Sequence, residues 1–188
     1  MDFQELVVSI AKILDRLGIP YAITGGYALA YMGRLRTTFD IDTIIELPYT
    51  KIDAFVNALR EVSGISYVEK NMVIRAVERH SEFNFIHADS GIKVDFWVLN
   101  TDLYARTKLE RQQARDIEGY PVHFVSPEDL ILSKLQWHKA GGSEQQLRDV
   151  QSIVLMQEKL DWRYLEKWSK QHSTARILHE VKEQAKKQ

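Results

Sequence analysis

Apolar residues recur at helical spacing from the start of the chain, at Leu6, Ile10, Ile13, Leu14 and Leu17. Asp2 and Glu5 suit an N-terminal capping arrangement, and Gly18 with Pro20 supplies the stop, so the first predicted element is an amphipathic helix. A short apolar run, Tyr21 to Thr24, then meets Gly25-Gly26 and the helical pattern Ala28, Leu29, Ala30, Tyr31, which reads as strand, tight turn, helix. The isoleucine-rich stretch Asp40 to Leu47, ended by Pro48, predicts a strand, and Thr50 caps a helix running to about Val62, broken by Ser63-Gly64. Glu82 to His87 and Ile92 to Leu99 flank the turn-forming Ala88-Asp89-Ser90-Gly91, the pattern of an antiparallel hairpin. Thr101 to about Arg115 reads as helix and Tyr120 to Val125 as a short strand.

From Ser126 the pattern becomes helical throughout. Ser126 fits an N-cap and Pro127 the first helical position, with Leu130, Ile131, Leu135 and His138 continuing one side. Gly141-Gly142 ends that helix and Ser143 starts the next. Later apolar positions, Trp162 and Trp168 among them, suggest further helices packed on the sheet or on one another, and Trp137 is expected to pack in this helical part as well. The expected fold class is α/β in the α+β sense: residues 1–125 form a mixed β-sheet core flanked by helices, and residues 126–188 a C-terminal helical part.

Composition narrows the class without choosing a function. The chain has 188 residues, 45% hydrophobic and 27% charged, the balance of an ordinary globular protein. It has no cysteine, so any metal must be held by oxygen or imidazole, and the histidines lack His-x-x-x-His spacing. The formal net charge of -1 lacks the strongly basic field of a protein that coats nucleic acid. The N-terminal segment carries charges through its apolar stretch, unlike a secretory signal, and no apolar run approaches a bilayer-spanning length, so the expected location is cytoplasmic with no membrane partner.

The candidate chemistry lies in acidic residues. Asp40 and Asp42 are one residue apart on a predicted strand, so both side chains project from one face while Ile41 points to the other. Two hard oxygen donors so placed suit magnesium, whose octahedral shell is often completed by substrate phosphates. Taken alone, Asp-x-Asp is more often a solvated strand end. Gly25-Gly26 adds a turn whose missing Cβ atoms permit close approach and whose following helix offers free amides to phosphate. Arg36 and Thr38 add a guanidinium and a hydroxyl suited to phosphate or to the carboxylates. Asp95, isolated in the apolar run Val94 to Leu99, needs a cation or hydrogen-bond donors; a buried ion pair is its ordinary alternative.

Together, Gly25-Gly26, then Arg36-x-Thr38-x-Asp40-Ile41-Asp42, then Asp95 on a later strand resemble the nucleotidyltransferase superfamily of the DNA polymerase β type. The resemblance implies that Gly25 and Gly26 support a nucleoside triphosphate, that Asp40 and Asp42 bind two Mg2+ ions (Mn2+ as substitute), and that Asp95 binds the catalytic one. Asp40, Asp42 and Asp95 become the expected catalytic residues. Tyr27 stands where many members carry serine. The segment Ser126-Pro127-Glu128-Asp129-Leu130 with Lys134, then Arg148-Asp149-Val150, resembles the small bacterial branch that includes AbiEii-type toxins. That likeness implies nucleotide-binding roles for Lys134 and Asp149 and an antitoxin partner.

The expected activity is transfer of a nucleoside monophosphate from a nucleoside triphosphate such as ATP to an acceptor hydroxyl on tRNA, protein or a small molecule such as an antibiotic. The alternative is a non-catalytic nucleotide-binding or partner-binding module of the same fold.

Overall fold

In a computed structural model, residues 1–34, 37–63 and 67–185 are described. Among them the chain runs α1 (Phe3–Arg16), β1 (Tyr21–Ile23), α2 (Gly25–Met32), β2 (Asp40–Ile45), α3 (Ile52–Arg60), α4 (Lys70–Arg79), β3 (Glu82–His87), β4 (Ile92–Val98), α5 (Leu103–Glu110), β5 (Gln113–Ile117), β6 (Tyr120–Phe124), α6 (Pro127–Gly141), α7 (Glu144–Met156), α8 (Trp162–Gln171) and α9 (Ala175–Ala185). The chain divides into two compact units, Met1–Tyr27 with Thr38–Val125, and Ala28–Thr37 with Ser126–Gln188.

The first unit is built on a six-stranded sheet of order β3-β4-β2-β1-β6-β5. β2 pairs parallel with β4 and antiparallel with β1, β1 pairs parallel with β6, and the β3-β4 and β5-β6 hairpins close the two edges. The sheet is therefore mixed, as expected. Helix α1 starts at a reciprocal capping box: Asp2 Oδ1 accepts from the Glu5 amide at 2.9 Å and Glu5 Oε2 accepts from the Asp2 amide at 2.7 Å. α1 contacts α3 and β6, and α3 contacts α4.

Alternation along β4 fixes which way its acidic residue faces. Val94, Phe96 and Val98 are buried, and Phe96 stacks on Phe83 at 5.1 Å between centroids and meets Phe55 of α3 edge-on at 5.3 Å. Burying each such side chain is worth about 1.5–3 kcal/mol, so a one-residue slip, which would expose all three, is strongly disfavoured. Lys93, Asp95 and Trp97 are thereby committed to the opposite face.

The sequence pattern and the structure part company in two places. The expected helix from Thr101 to Arg115 stops at Glu110, and Gln113–Ile117 is instead β5, paired with β6 across Glu118 and Gly119. Both turn residues have positive φ, 51° and 78°, as a two-residue hairpin turn requires, and Asp116 Oδ1 accepts from the Gly119 amide at 3.1 Å. Good helix formers at Gln112 to Arg115 are overridden by pairing with β6, which makes this segment the edge strand of the sheet. The second difference is α4, an element the patterning between Ser63 and Glu82 does not reveal; it buries only Val73 and Ala76 and ends at His80 in the left-handed conformation, φ 48°.

The second unit is helical. Ser126 caps α6, accepting from the Asp129 amide at 3.1 Å, and Pro127 occupies the first turn. Gly142 ends α6 with φ 67°. α6 packs with α7 and α8, and α9 with α7 and α8. Trp168 is buried there, but Trp137, expected to pack, is half exposed. Among the described residues no helix is long and apolar enough to cross a membrane.

Candidate active site

The parallel ladder between β2 and β4 brings the predicted acids to one face. Asp42 and Asp95 are direct register partners, and Asp40 is opposite Lys93. With side chains alternating along each strand, Asp40, Asp42, Lys93, Asp95 and Trp97 share a side, while Ile41, Thr43, Val94 and Phe96 enter the core.

Asp42 sits at the centre. Burial, and then the charge of Asp95, push its carboxyl above the usual carboxylate range; the Trp97 indole N–H and the Gly26 amide donate to it and pull the other way, and Asp40 adds a smaller upward push. The turn into α2 lies against it. Thr24 donates its amide to the Asp42 carbonyl at 2.9 Å, and a Cβ on Gly25, whose φ is 65°, would collide with the Asp42 carboxylate. Glycine is required there twice over, by conformation and by space.

Asp95 accepts from Lys93 Nζ at 2.7 Å, with side chains 17% and 40% exposed respectively. That hydrogen bond raises the affinity of Lys93 for its proton, and the charges of Asp95, Asp40 and Asp42 act in the same direction while burial opposes them. Thr38 donates its hydroxyl to the Asp40 carbonyl at 3.3 Å, bracing the backbone at the start of β2. Arg36 lies outside the described residues. Among the described residues no group of three or more Asp, Glu, His or Cys side chains stands arranged to hold a metal ion.

Lys134 and Asp149 belong to the helical unit and meet each other there. Lys134 Nζ donates to Asp149 Oδ2 at 2.7 Å and to Gln146 Oε1 at 3.2 Å, and Gln145 donates to Asp149 Oδ1 at 2.8 Å. Both charged side chains are about 95% buried, at 5% and 4% exposure.

Two residues of the sheet face escaped the sequence reading, Lys93 and Trp97. Each is two positions from Asp95, so the alternation that placed the aspartates would have placed them as well.

The mixed sheet, with acids on adjacent parallel strands beside a glycine turn, defines a nucleotidyltransferase fold. The chain belongs to the family described as nucleotidyltransferase of unknown function (DUF6036), whose model matches residues 2–187. Solved structures agree on the fold. The antibiotic-resistance factor ANT(2'')-Ia superposes with a TM-score of 0.59 at 15% identity, covering 94% of this chain and 96% of that one. A lincosamide antibiotic adenylyltransferase, LnuA, gives 0.53 at 13% identity, with 84% and 99% covered. An antigenic nucleotidyltransferase-like protein from Paracoccidioides brasiliensis gives 0.52 at 23% identity, with 80% and 75% covered. Comparison with curated proteins finds no match.

Proposed function

We propose that this protein is a metal-dependent nucleotidyltransferase that moves a nucleoside monophosphate from a nucleoside triphosphate to an acceptor hydroxyl, with Asp40, Asp42 and Asp95 as its metal-binding and catalytic carboxylates. The observation that carries the reading is the register pairing of Asp42 with Asp95, with Asp40 on the same face and the Gly25 turn pressed against Asp42.

The donor chemistry suits divalent cations, which would draw the three carboxylates into a site they do not form by themselves. Three hard oxygen donors lie on one side of adjacent strands, and Asp42 is pushed up by burial and by its neighbours' charge, the situation a cation relieves. Mg2+ bound there supplies charge neutralisation for a triphosphate and a lowered pKa for an attacking hydroxyl. The chain's own contributions are positional and acid–base. The Trp97 indole and the Gly26 amide orient the Asp42 carboxylate, and the Gly25 turn leaves room beside it. Asp95 takes the proton from the acceptor hydroxyl as its oxygen bonds the α-phosphorus and the bond to pyrophosphate breaks. Gly25, Gly26, Arg36 and Thr38 serve the nucleotide, and Lys134 and Asp149 carry the same assignment from the family resemblance.

The test is incubation with each α-labelled nucleoside triphosphate, magnesium and a mixture of RNA, protein and small molecules, in which the labelled fraction identifies the acceptor. Asp42→Asn and Asp40→Asn should each lower transfer by about a thousandfold, ~4 kcal/mol of barrier, with circular dichroism unchanged. Wild-type activity in either variant overturns the proposal, and metal-dependent nucleotide binding without pyrophosphate release favours a binding module instead.

A further inference from the structure

Resting on that reading of the carboxylate face, we infer that Lys93 is a tethered counter-ion that occupies Asp95 in the metal-free protein, competes with a divalent cation for it, and lets go when the cation binds. Lys93 and Asp95 lie two residues apart on β4 and so share a face, and their side chains meet at 2.7 Å. Lys93 is also the register partner of Asp40, which sets its stem alongside the first acid while its ammonium reaches the third.

The physical need is plain from the charges. Asp42 feels the charges of both Asp95 and Asp40 in a partly buried setting, where like charges repel more strongly than in water. A single ammonium relieves part of that repulsion. Its four-carbon stem is flexible and its side chain 40% exposed, so it can leave without disturbing the sheet. A salt bridge this open is weak, and a divalent cation with higher charge and several oxygens to bind displaces it. Lys93 thus acts as a positioning residue: it holds the Asp95 carboxylate in place without closing the face permanently.

Mn2+ binding to the intact chain, measured by calorimetry on wild type, Lys93→Met, Lys93→Arg, Asp95→Asn and Asp42→Asn, tests this, with circular dichroism confirming each fold. Lys93→Met should bind Mn2+ roughly two- to fivefold more tightly, and Lys93→Arg no more tightly than wild type. A second readout separates competition from a general change of charge: acylation of Lys93 by an amine-reactive reagent, followed by mass spectrometry, should rise when Mn2+ saturates the wild type. It should be high without metal in Asp95→Asn.

Unchanged or weaker Mn2+ binding in Lys93→Met, or Lys93 labelling that stays constant while Mn2+ is bound, overturns the inference. If wild type binds Mn2+ and Asp95→Asn weakens it, such a result removes Lys93 alone and leaves the metal reading standing. If wild type binds no Mn2+, both fall together.

Discussion

The two units each contain a cluster of acidic groups, and the clusters solve the problem of charge in opposite ways. In the helical unit every carboxylate oxygen named is met by a donor. Asp149 is held by Lys134 and Gln145 at 2.7 and 2.8 Å; Asp129, fully buried, accepts from the Ser126 and Tyr164 hydroxyls at 2.6 and 2.7 Å; Glu128 accepts from the Asp161 amide at 2.8 Å. On the sheet face the partly exposed Lys93 meets Asp95, and Asp42, beside Asp40 and Asp95, is left reluctant to ionise. The two clusters therefore hold their charge under different conditions in the unliganded chain. The distinguishing feature is whether the fold supplies the neutralisation locally or leaves some of it to be supplied by something that binds.

Three variants test that contrast on stability. The largest effect is expected for Lys134→Met, which strands the Asp149 carboxylate in the interior. The loss should be about 3–5 kcal/mol, a fall in Tm of roughly 6–20 °C for a chain of this size. Adding Asp149→Leu should recover most of it in thermal melts, because an apolar pair needs no solvation. Tyr164→Phe comes next, removing one of the hydroxyls that satisfy Asp129, with an expected cost of about 1–3 kcal/mol in urea unfolding. If either variant melts with the wild type, the helical cluster is not the closed network its distances describe.

The smallest effect has the opposite sign. Because the folded protein raises the Asp42 pKa, this group favours the fold most below its unfolded value of 3.8, and that contribution is lost as pH rises through the raised folded value. Asp42→Asn, a permanently neutral analogue, should therefore be more stable than wild type at neutral pH without divalent metal. The gain should shrink as pH falls, read from urea midpoints across a pH series, and saturating Mg2+ should narrow it from the other side. A metal-free wild type more stable than Asp42→Asn at neutral pH would erase the difference between the clusters.

Much of the sheet face was legible because period-2 alternation is geometry: once Asp40 to Leu47 and Ile92 to Leu99 read as strands, the facing of Asp40, Asp42 and Asp95 followed. Their pairing across strands was not, since register depends on contacts between distant segments, and only the family resemblance linked Asp95 to the other two. Lys93 and Trp97 were overlooked for a different reason. A strand lysine usually reads as solvated and a tryptophan as core, so neither type announces a role beside a carboxylate. β5 stayed hidden because Gln112 to Arg115 favour helix locally and become a strand only through β6. The grouping of Ala28–Thr37 with Ser126–Gln188 has no local signature at all.

The fit between Gly25 and Asp42 makes the two positions a lock whose halves are complementary in volume. Any side chain at 25 must occupy space now filled by the acid, so bulk can be gained at one position only by surrendering it at the other. A descendant that traded the acid for a small neutral residue would free position 25 from crowding, and only its left-handed φ of 65° would still argue for glycine. The acid and the glycine are thus best altered jointly, as one unit of design.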